Sequence, residues 1–150
     1  MSEASTFFYA TEIEWSKDKE GKISAPSLPS IAVGAPPEFK GSEGNWSPEH
    51  LLVASVNTCL MLTFLTIAEN SKLSIKSYSS TAKGKLEKVD GAGFQVTEIV
   101  VKPKVVVPSE TELRRLPKIL EKAKEGCFIS NSIKSTVKLE PEISAQETQS

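Results

Sequence analysis

The segment from Leu51 to Ala68 contains no charged residue, and it constrains the fold more than any other part of the chain. Its length approaches the roughly 17 to 25 residues of a membrane-spanning helix, so a membrane helix is one interpretation. Ser55, Asn57 and three threonines lower its hydrophobicity, which favours a helix enclosed by a soluble protein. Because a chain of 150 residues has a limited interior, full enclosure also predicts that a second subunit helps to cover this helix.

The composition is typical of a soluble globular protein. The chain is 39% hydrophobic and 25% charged, with a formal net charge of −1. This balance lacks the basic footprint of nucleic-acid-binding proteins, so we expect no nucleic acid partner. The N-terminus has no basic region before an apolar stretch, so we expect no secretion signal and a cytoplasmic location. Thiols stay reduced there, so the two cysteines predict catalysis, redox sensing or simple burial rather than a permanent disulfide.

The N-terminal region has the pattern of strands. Apolar and polar residues alternate from Tyr9 to Ser16, which predicts a half-buried strand. Residues 17–21 have the composition of a turn, and a short return strand is predicted at 22–25. The prolines between Pro26 and Pro37 then predict a long, irregular surface connection.

The apolar segment has the start signals of a helix, and a hairpin is predicted after it. Ser47 is a suitable N-cap, Pro48 suits the first helical position, and the helix is expected to end near Asn70. Two strand-like runs, 75–89 and 94–107, flank a short segment rich in glycine and aspartate, which favours a hairpin turn.

A second helix and a last strand complete the predicted elements. Ser109 and Glu112 have the spacing of a capping box, and Gly126 is the expected stop of the helix that they open. Pro117, inside this helix, should kink it or confine its first turns to a separate short segment. Residues 133–140 alternate as a one-sided strand does.

This order of elements predicts an α+β fold in which helices pack on an antiparallel sheet. The sequence shows no internal repeat and no second domain, so residues 1–150 are predicted to form a single domain. The polar tail from Ser144 to Ser150 is expected to be disordered.

Each cysteine lies at a structural landmark. Cys59 is in the middle of the apolar helix, and Cys127 directly follows the glycine that ends the second helix. The C-terminal end of a helix carries partial negative charge, which disfavours a thiolate at Cys127. Cys59 gains nothing from a helix N-terminus, so a cationic or hydrogen-bonding neighbour must lower its pKa if it is to react. The alternative for both is that they are small buried hydrophobic residues.

The chain resembles the OsmC/Ohr superfamily, the osmotically inducible and organic hydroperoxide resistance proteins, and is closer to the OsmC-like branch. The resemblance rests on S-P-E-H-L-L from Ser47, on the apolar helix that reaches Cys59, and on A-K-E-G-C-F-I-S-N-S around Cys127. It implies an intertwined homodimer with a long central helix enclosed between antiparallel sheets. It also implies a peroxidase that acts on organic hydroperoxides, needs neither metal nor haem, and is reset by an external thiol.

The resemblance assigns a role to three residues. Cys59 would attack the peroxide as a thiolate, become a sulfenic acid, and condense with the resolving Cys127 into a disulfide. Glu49 matches the family's acid, which orients a catalytic arginine; a first-turn acid that only stabilises the helix is the alternative. Ten residues of helix put Glu49 about 15 Å along the axis from Cys59, so either the helix bends or a partner subunit supplies the acid.

The family's arginine is missing from its usual place, which holds Glu38. Lys22 or Lys40 is a candidate replacement, although lysine lacks the planar fork of arginine. Arg114 or Arg115 would serve only if the fold or the partner brings that helix close. This departure keeps a second hypothesis open, in which the chain is a noncatalytic dimer that binds a small apolar ligand or senses redox state.

Overall fold

The computed structural model describes residues 5–147. The chain forms two compact units, one that extends to Leu51 and one that starts at Leu52. The boundary falls inside the first helix, so a single element belongs to both units. The assignment of the whole chain to a single domain stays a prediction.

The first unit is a three-stranded antiparallel meander. Its strands are β1 (Glu12–Lys17), β2 (Glu20–Ala25) and β3 (Leu28–Gly34), in the order β1-β2-β3. A two-residue turn at 18–19 joins β1 to β2, which confirms a turn within residues 17–21, although β2 begins at Glu20 rather than at residue 22. A short 3-10 helix, Pro37–Phe39, follows the sheet.

The first strand differs from its prediction in length and in burial. It begins at Glu12 rather than at Tyr9, and all six of its residues are exposed. The side chains of Ile13 and Trp15 are 71% and 77% exposed. The alternating pattern therefore gives the strand correctly but not the half-buried face, because alternation shows which face is apolar and not what covers it.

The predicted irregular connection is wrong over most of its length, because β3 lies between Pro26 and Pro37. β3 pairs with β2 and lies at the edge of the three-stranded sheet, and its other side carries only an isolated bridge from Val33 to Trp46, away from Pro29. Pro29 is tolerated at such an edge, since a strand that is unpaired on one side does not need every N–H group for the ladder. Proline density alone therefore does not indicate irregular backbone here.

The first helix, α1, runs from Pro48 to Asn70, as predicted. The Ser47 hydroxyl accepts a hydrogen bond from the His50 N–H at 3.1 Å, which confirms the cap. By length and composition α1 would suffice to cross a membrane, a property that it shares with core helices of soluble proteins.

Only one row of α1 is fully covered by the chain itself. The buried residues lie four positions apart, which is the spacing of one helix face, and they are Val56, Leu60, Phe64 and Ala68. Leu62 remains 54% exposed and Leu65 37% exposed. The full enclosure expected for this helix is therefore not reached within one chain.

The second unit contains a four-stranded mixed sheet. Strands β4 (Ser77–Val89) and β5 (Gly93–Val107) form the predicted antiparallel hairpin. Strands β6 (Thr136–Leu139) and β7 (Glu142–Ala145) pair in parallel with β5, one after the other along the same edge. The sheet thus adds two parallel pairs to the antiparallel pairing that the sequence predicts.

The last strand corrects the predicted tail. Ser144 and Ala145 belong to β7 and pair with the end of β5, so disorder from Ser144 onward is wrong for these residues. Residues 148–150, the end of that predicted tail, lie outside the described part of the chain.

The second helix, α2, runs without interruption from Glu110 to Gly126. The N-cap half of the capping box is confirmed, because the Ser109 hydroxyl accepts from the Glu112 N–H at 3.4 Å. The Glu112 carboxylate accepts from the Ser109 hydroxyl at 2.9 Å rather than from the Ser109 N–H, so the second half of the box is not formed. The predicted separate segment before Pro117 is wrong. Pro117 lies on the exposed side of α2, while the other side packs into the core through Leu116 and its neighbours, which offsets the hydrogen bond that proline removes.

The core of the second unit joins α1, α2 and the inner face of the sheet. Its fully buried members are mostly branched aliphatic residues of β5 and the facing rows of the two helices, and they include Leu60, Phe64, Ile99, Val101 and Leu116. This core fixes the relative positions of the middle of α1 and the C-terminal end of α2.

Gly84 marks a close approach between α1 and β4. A Cβ atom on Gly84 would lie 2.6 Å from the Cγ2 atom of Val53, and β-branched valine has little rotamer freedom to move away. We expect Gly84→Ala to lower the free energy of unfolding by about 1 to 3 kcal/mol. Urea unfolding measures this change, with Lys83→Ala at the adjacent exposed position as the control. Equal stability of the two variants would contradict the close contact.

Candidate functional site

The second unit brings the two cysteines into contact. Cys59 is half-buried in the middle of α1, and Cys127 is fully buried at the position after α2 ends. Both are free thiols, and the Cys127 thiol lies close enough to that of Cys59 to help lower its pKa. A Cβ atom on Gly126 would lie 3.6 Å from the Thr63 side chain, so the end of α2 packs against this part of α1.

The surroundings of Cys59 favour its thiolate. Burial alone would raise the pKa of the Cys59 thiol, but hydrogen-bond donors around the sulfur outweigh burial and bring the pKa below its ordinary value. These donors are the main-chain N–H of Ile129, the Cys127 thiol, the Thr63 hydroxyl and the main-chain N–H of Phe128.

The surroundings of Cys127 have the opposite effect. Burial raises the pKa of the Cys127 thiol, and the neighbouring Cys59 sulfur raises it further. The hydroxyl and N–H of Ser130 offset only part of this rise. Of the two thiols, Cys59 therefore ionises first, while Cys127 keeps its proton and donates it to the Cys59 sulfur.

This pair can perform two-electron thiol chemistry. A thiolate is the nucleophilic form of cysteine, and a second thiol in contact with it can close a disulfide after the first is oxidised. The exposed fraction of Cys59 and the full burial of Cys127 mean that an external oxidant meets Cys59 first.

Glu49 lies in the first turn of α1, where an acid also favours the helix dipole. The side chain is half-buried, and its Oε1 atom is buried without a hydrogen-bond partner among residues 5–147. Since α1 is continuous, Glu49 and Cys59 remain ten residues apart on one helix. A carboxylate oxygen in this state lacks the donor that such groups normally have.

Among residues 5–147, no cationic side chain contributes to the lowered pKa of Cys59. Arg115 donates a hydrogen bond to the main-chain carbonyl of Ser71, which ties α2 to the C-terminal end of α1. Ser71 lies beyond Cys59 by about 18 Å of helix. Arg114 is exposed on α2, and Lys22 and Lys40 belong to the first unit.

Three donors around Cys59 were not predicted from the sequence. Thr63 had a usable signal, since a threonine four residues after a cysteine lies on the same face of a helix. The N–H groups of Phe128 and Ile129 had no such signal, because a main-chain donor places no demand on the side chain.

In the described part of the chain, no group of three or more histidine, cysteine or acidic residues has the arrangement of a metal site.

The chain is similar to several known proteins over most of its length. Residues 41–142 match the family model described as OsmC-like protein. The chain is 31% identical over 126 residues to Peroxiredoxin OsmC from Escherichia coli strain K12, covering 83% of this chain and 86% of that protein.

Two solved structures show the same fold. An OsmC-like protein of unknown function from Vibrio cholerae has a TM-score of 0.83 and 27% identity, and the match covers 91% of this chain and 99% of that one. An organic hydroperoxide resistance protein OsmC from Legionella pneumophila has a TM-score of 0.71 and 20% identity, covering 94% and 99%. The α+β fold with two helices and two sheets is thus confirmed. The family model covers more than half of the chain and includes both cysteines, so this chain belongs to the OsmC-like protein family.

Proposed function

We propose that this protein is a thiol-dependent peroxidase that reduces organic hydroperoxides and so contributes to defence against oxidative stress. The observation that carries the proposal is the contact between a half-exposed thiol with a lowered pKa, Cys59, and a buried, protonated thiol, Cys127. The similarity to a peroxiredoxin at 31% identity supports the same chemistry.

The first step is attack of the Cys59 thiolate on the outer oxygen of the hydroperoxide. The S–O bond forms as the O–O bond breaks, and the leaving alkoxide takes a proton to become an alcohol. Cys59 is then a sulfenic acid, oxidised by two electrons. The second step is attack of Cys127 on the Cys59 sulfur, which forms the disulfide and releases water. An external thiol supplies the two electrons that restore both thiols.

One feature supports an organic rather than an inorganic substrate. The faces of α1 that the chain leaves uncovered are apolar, as at Leu62 and Leu65. A site lined by such residues gains binding free energy from the alkyl or aryl group of an organic hydroperoxide, and hydrogen peroxide has no such group.

We also propose a cytoplasmic homodimer as the active form. In β1 and in the segment before it, Phe8, Tyr9 and Trp15 are 91%, 92% and 77% exposed, and α1 exposes further apolar side chains. Apolar surface of this extent is typical of an interface. A second copy would also offer a donor to the buried Oε1 atom of Glu49, which has no hydrogen-bond partner among residues 5–147.

One equivalent of an organic hydroperoxide tests the proposal. We expect reduced protein treated with cumene hydroperoxide to form an intramolecular Cys59–Cys127 disulfide, because the thiolate and its partner are already in contact. Peptide mapping by mass spectrometry without reduction detects this bond. Treatment with hydrogen peroxide at the same concentration is the control for substrate class, and the disulfide should form more slowly there.

Two unreacted thiols after treatment with both oxidants would contradict the peroxidase. That result would favour the second hypothesis, a noncatalytic member that binds a small apolar ligand. The departure from the family at Glu38, where its arginine is missing, is the specific observation on the side of that hypothesis.

A further inference from the structure

We propose that neutral hydrogen-bond donors hold the Cys59 sulfur as a thiolate in place of a cationic side chain. These donors are the Thr63 hydroxyl and the main-chain N–H groups of Phe128 and Ile129. The assignment of a catalytic purpose to them rests on the proposed peroxidase function, whereas their effect on the sulfur is independent of it.

The Thr63 hydroxyl lies beside the Cys59 sulfur, and once Cys59 is a thiolate the hydroxyl is the only possible donor of this pair. The Thr63 Oγ1 atom lies 3.9 Å from the Cys59 Sγ atom, within hydrogen-bonding distance for sulfur. Thr66, on the same helix, instead donates to the main-chain carbonyl of Leu62 at 2.9 Å, which is the usual bond of a helical threonine to the carbonyl four residues earlier. The two threonines differ in surroundings, because Thr63 is half-buried against the end of α2 and Thr66 is exposed.

The turn after α2 supplies the two N–H groups. Its backbone is held on both sides of Phe128 and Ile129, since the Cys127 N–H donates to the Lys124 carbonyl and the Asn131 N–H donates to the Cys127 carbonyl. Among residues 5–147, no main-chain carbonyl accepts the N–H of Phe128 or Ile129. Ile129 is half-buried, so its N–H group needs an acceptor, and the Cys59 sulfur lies beside the N–H groups of both residues.

The direction of the Cys59 pKa agrees with this arrangement. Burial acts to raise it, and the donors reverse the effect without any positively charged side chain among their number. Hydrogen bonds to an anion are stronger than those between neutral groups, so several such donors together can replace a guanidinium. The arginine whose position the structure fixes by a hydrogen bond, Arg115, is engaged at the far end of α1.

Substitution of Thr63 tests the side-chain donor. We expect Thr63→Val, which keeps the shape and removes the hydroxyl, to slow alkylation of Cys59 by iodoacetamide about tenfold at neutral pH, the effect of losing one hydrogen bond to a charged group. Thr63→Ser should restore the parent rate, and Thr66→Val should not change it. The readout is site-resolved mass spectrometry of Cys59 against pH.

The pH profile separates a loss of thiolate from a loss of structure. A missing donor raises the pKa of Cys59, so the rates of Thr63→Val and parent should converge at a pH above the ordinary thiol pKa. A distorted helix would instead slow the reaction at every pH. Equal profiles for Thr63→Val and the parent protein would overturn the inference, as would a deficit that persists at high pH.

Ile129 provides an independent test of the main-chain donors. Its φ of −70° is one that proline adopts, so Ile129→Pro removes the N–H without demanding a new backbone angle at that residue. Ile129→Ala loses the same core packing and keeps the N–H, which makes it the reference variant. We expect Cys59 in the proline variant to be alkylated several-fold more slowly than in the alanine variant at neutral pH.

The outcomes also distinguish this inference from the proposed function. Alkylation requires no peroxide, so equal rates for the Ile129 variants and unchanged profiles for the Thr63 variants would overturn the donor set even in an active peroxidase. A parent protein that consumes no hydroperoxide, with shifted alkylation profiles in Thr63→Val and Ile129→Pro, would support the donor set and contradict the peroxidase.

Discussion

Replacement of Cys59 by serine is expected to reduce organic hydroperoxide consumption by roughly three orders of magnitude or more, as removal of a catalytic nucleophile does in other enzymes. A serine hydroxyl keeps its proton at neutral pH, and its oxygen cannot be oxidised to an equivalent of sulfenic acid. The measurement is steady-state loss of cumene hydroperoxide with dithiothreitol as the external thiol.

Cys127→Ser is the matched variant, because it removes one sulfur from the same contact. Here the first step survives, so we expect one rapid turnover and a sulfenic acid on Cys59 that a dione reagent traps. Steady-state consumption should fall less than in Cys59→Ser, since dithiothreitol can attack the sulfenic acid directly. A parental rate in Cys59→Ser would contradict the assignment of the nucleophile.

Replacement of Phe64 by alanine is expected to lower the free energy of unfolding by about 3 to 5 kcal/mol. The Phe64 side chain is fully buried in the core of the second unit, and its ring centroid lies 5.3 Å from that of Tyr78. The substitution therefore removes both buried apolar area and an aromatic pair, and it leaves a cavity between α1 and β4. Urea unfolding followed by circular dichroism measures the change.

Phe128→Ala is the control for Phe64→Ala, because it deletes the same side chain at a site that is 80% exposed. Its effect on the free energy of unfolding should stay within about 0.5 kcal/mol. A similar loss in both variants would mean that Phe64 does not fill the core.

The elements whose ends are set by capping or turn residues nearby in the chain were predictable from the sequence. The N-caps Ser47 and Ser109 act through hydrogen bonds to the first turn of their helices, so the sequence signal lies within three residues. The same holds for the hairpin around residue 91, where Gly91 and Gly93 adopt positive φ angles of 78° and 75°. These signals gave both helices and the long hairpin.

Features that depend on distant partners were not predictable. β3 forms because β2 offers it a ladder, and Pro29 is tolerated because the strand lies at an edge. β7 forms because the end of β5 has a free edge at that point, although the sequence from Ser144 is polar. Local composition carries no information about either partner.

The candidate site likewise has features that the sequence predicts and features that depend on distant contacts. The family motifs indicated Cys59 and Cys127, and the helix end at Gly126 indicated which thiol keeps its proton. The contact between the two sulfurs depends on the packing of α2 against α1, across sixty-eight residues of sequence. The N–H groups of the turn beside Cys59 are placed by that packing, and no residue type in the sequence indicates them.

Two short strands, β6 and β7, share one edge of β5, and this affects how the sheet can pair with other chains. β6 and β7 have four residues each, and the chain passes from one to the other through Pro141, opposite the buried Pro103 of β5. Proline offers no N–H to a further strand, and lysine or glutamate side chains stand along both short strands. A long β-strand such as β5 would template aggregation if its edge were open, so these two short strands protect this side of β5 from pairing with another chain.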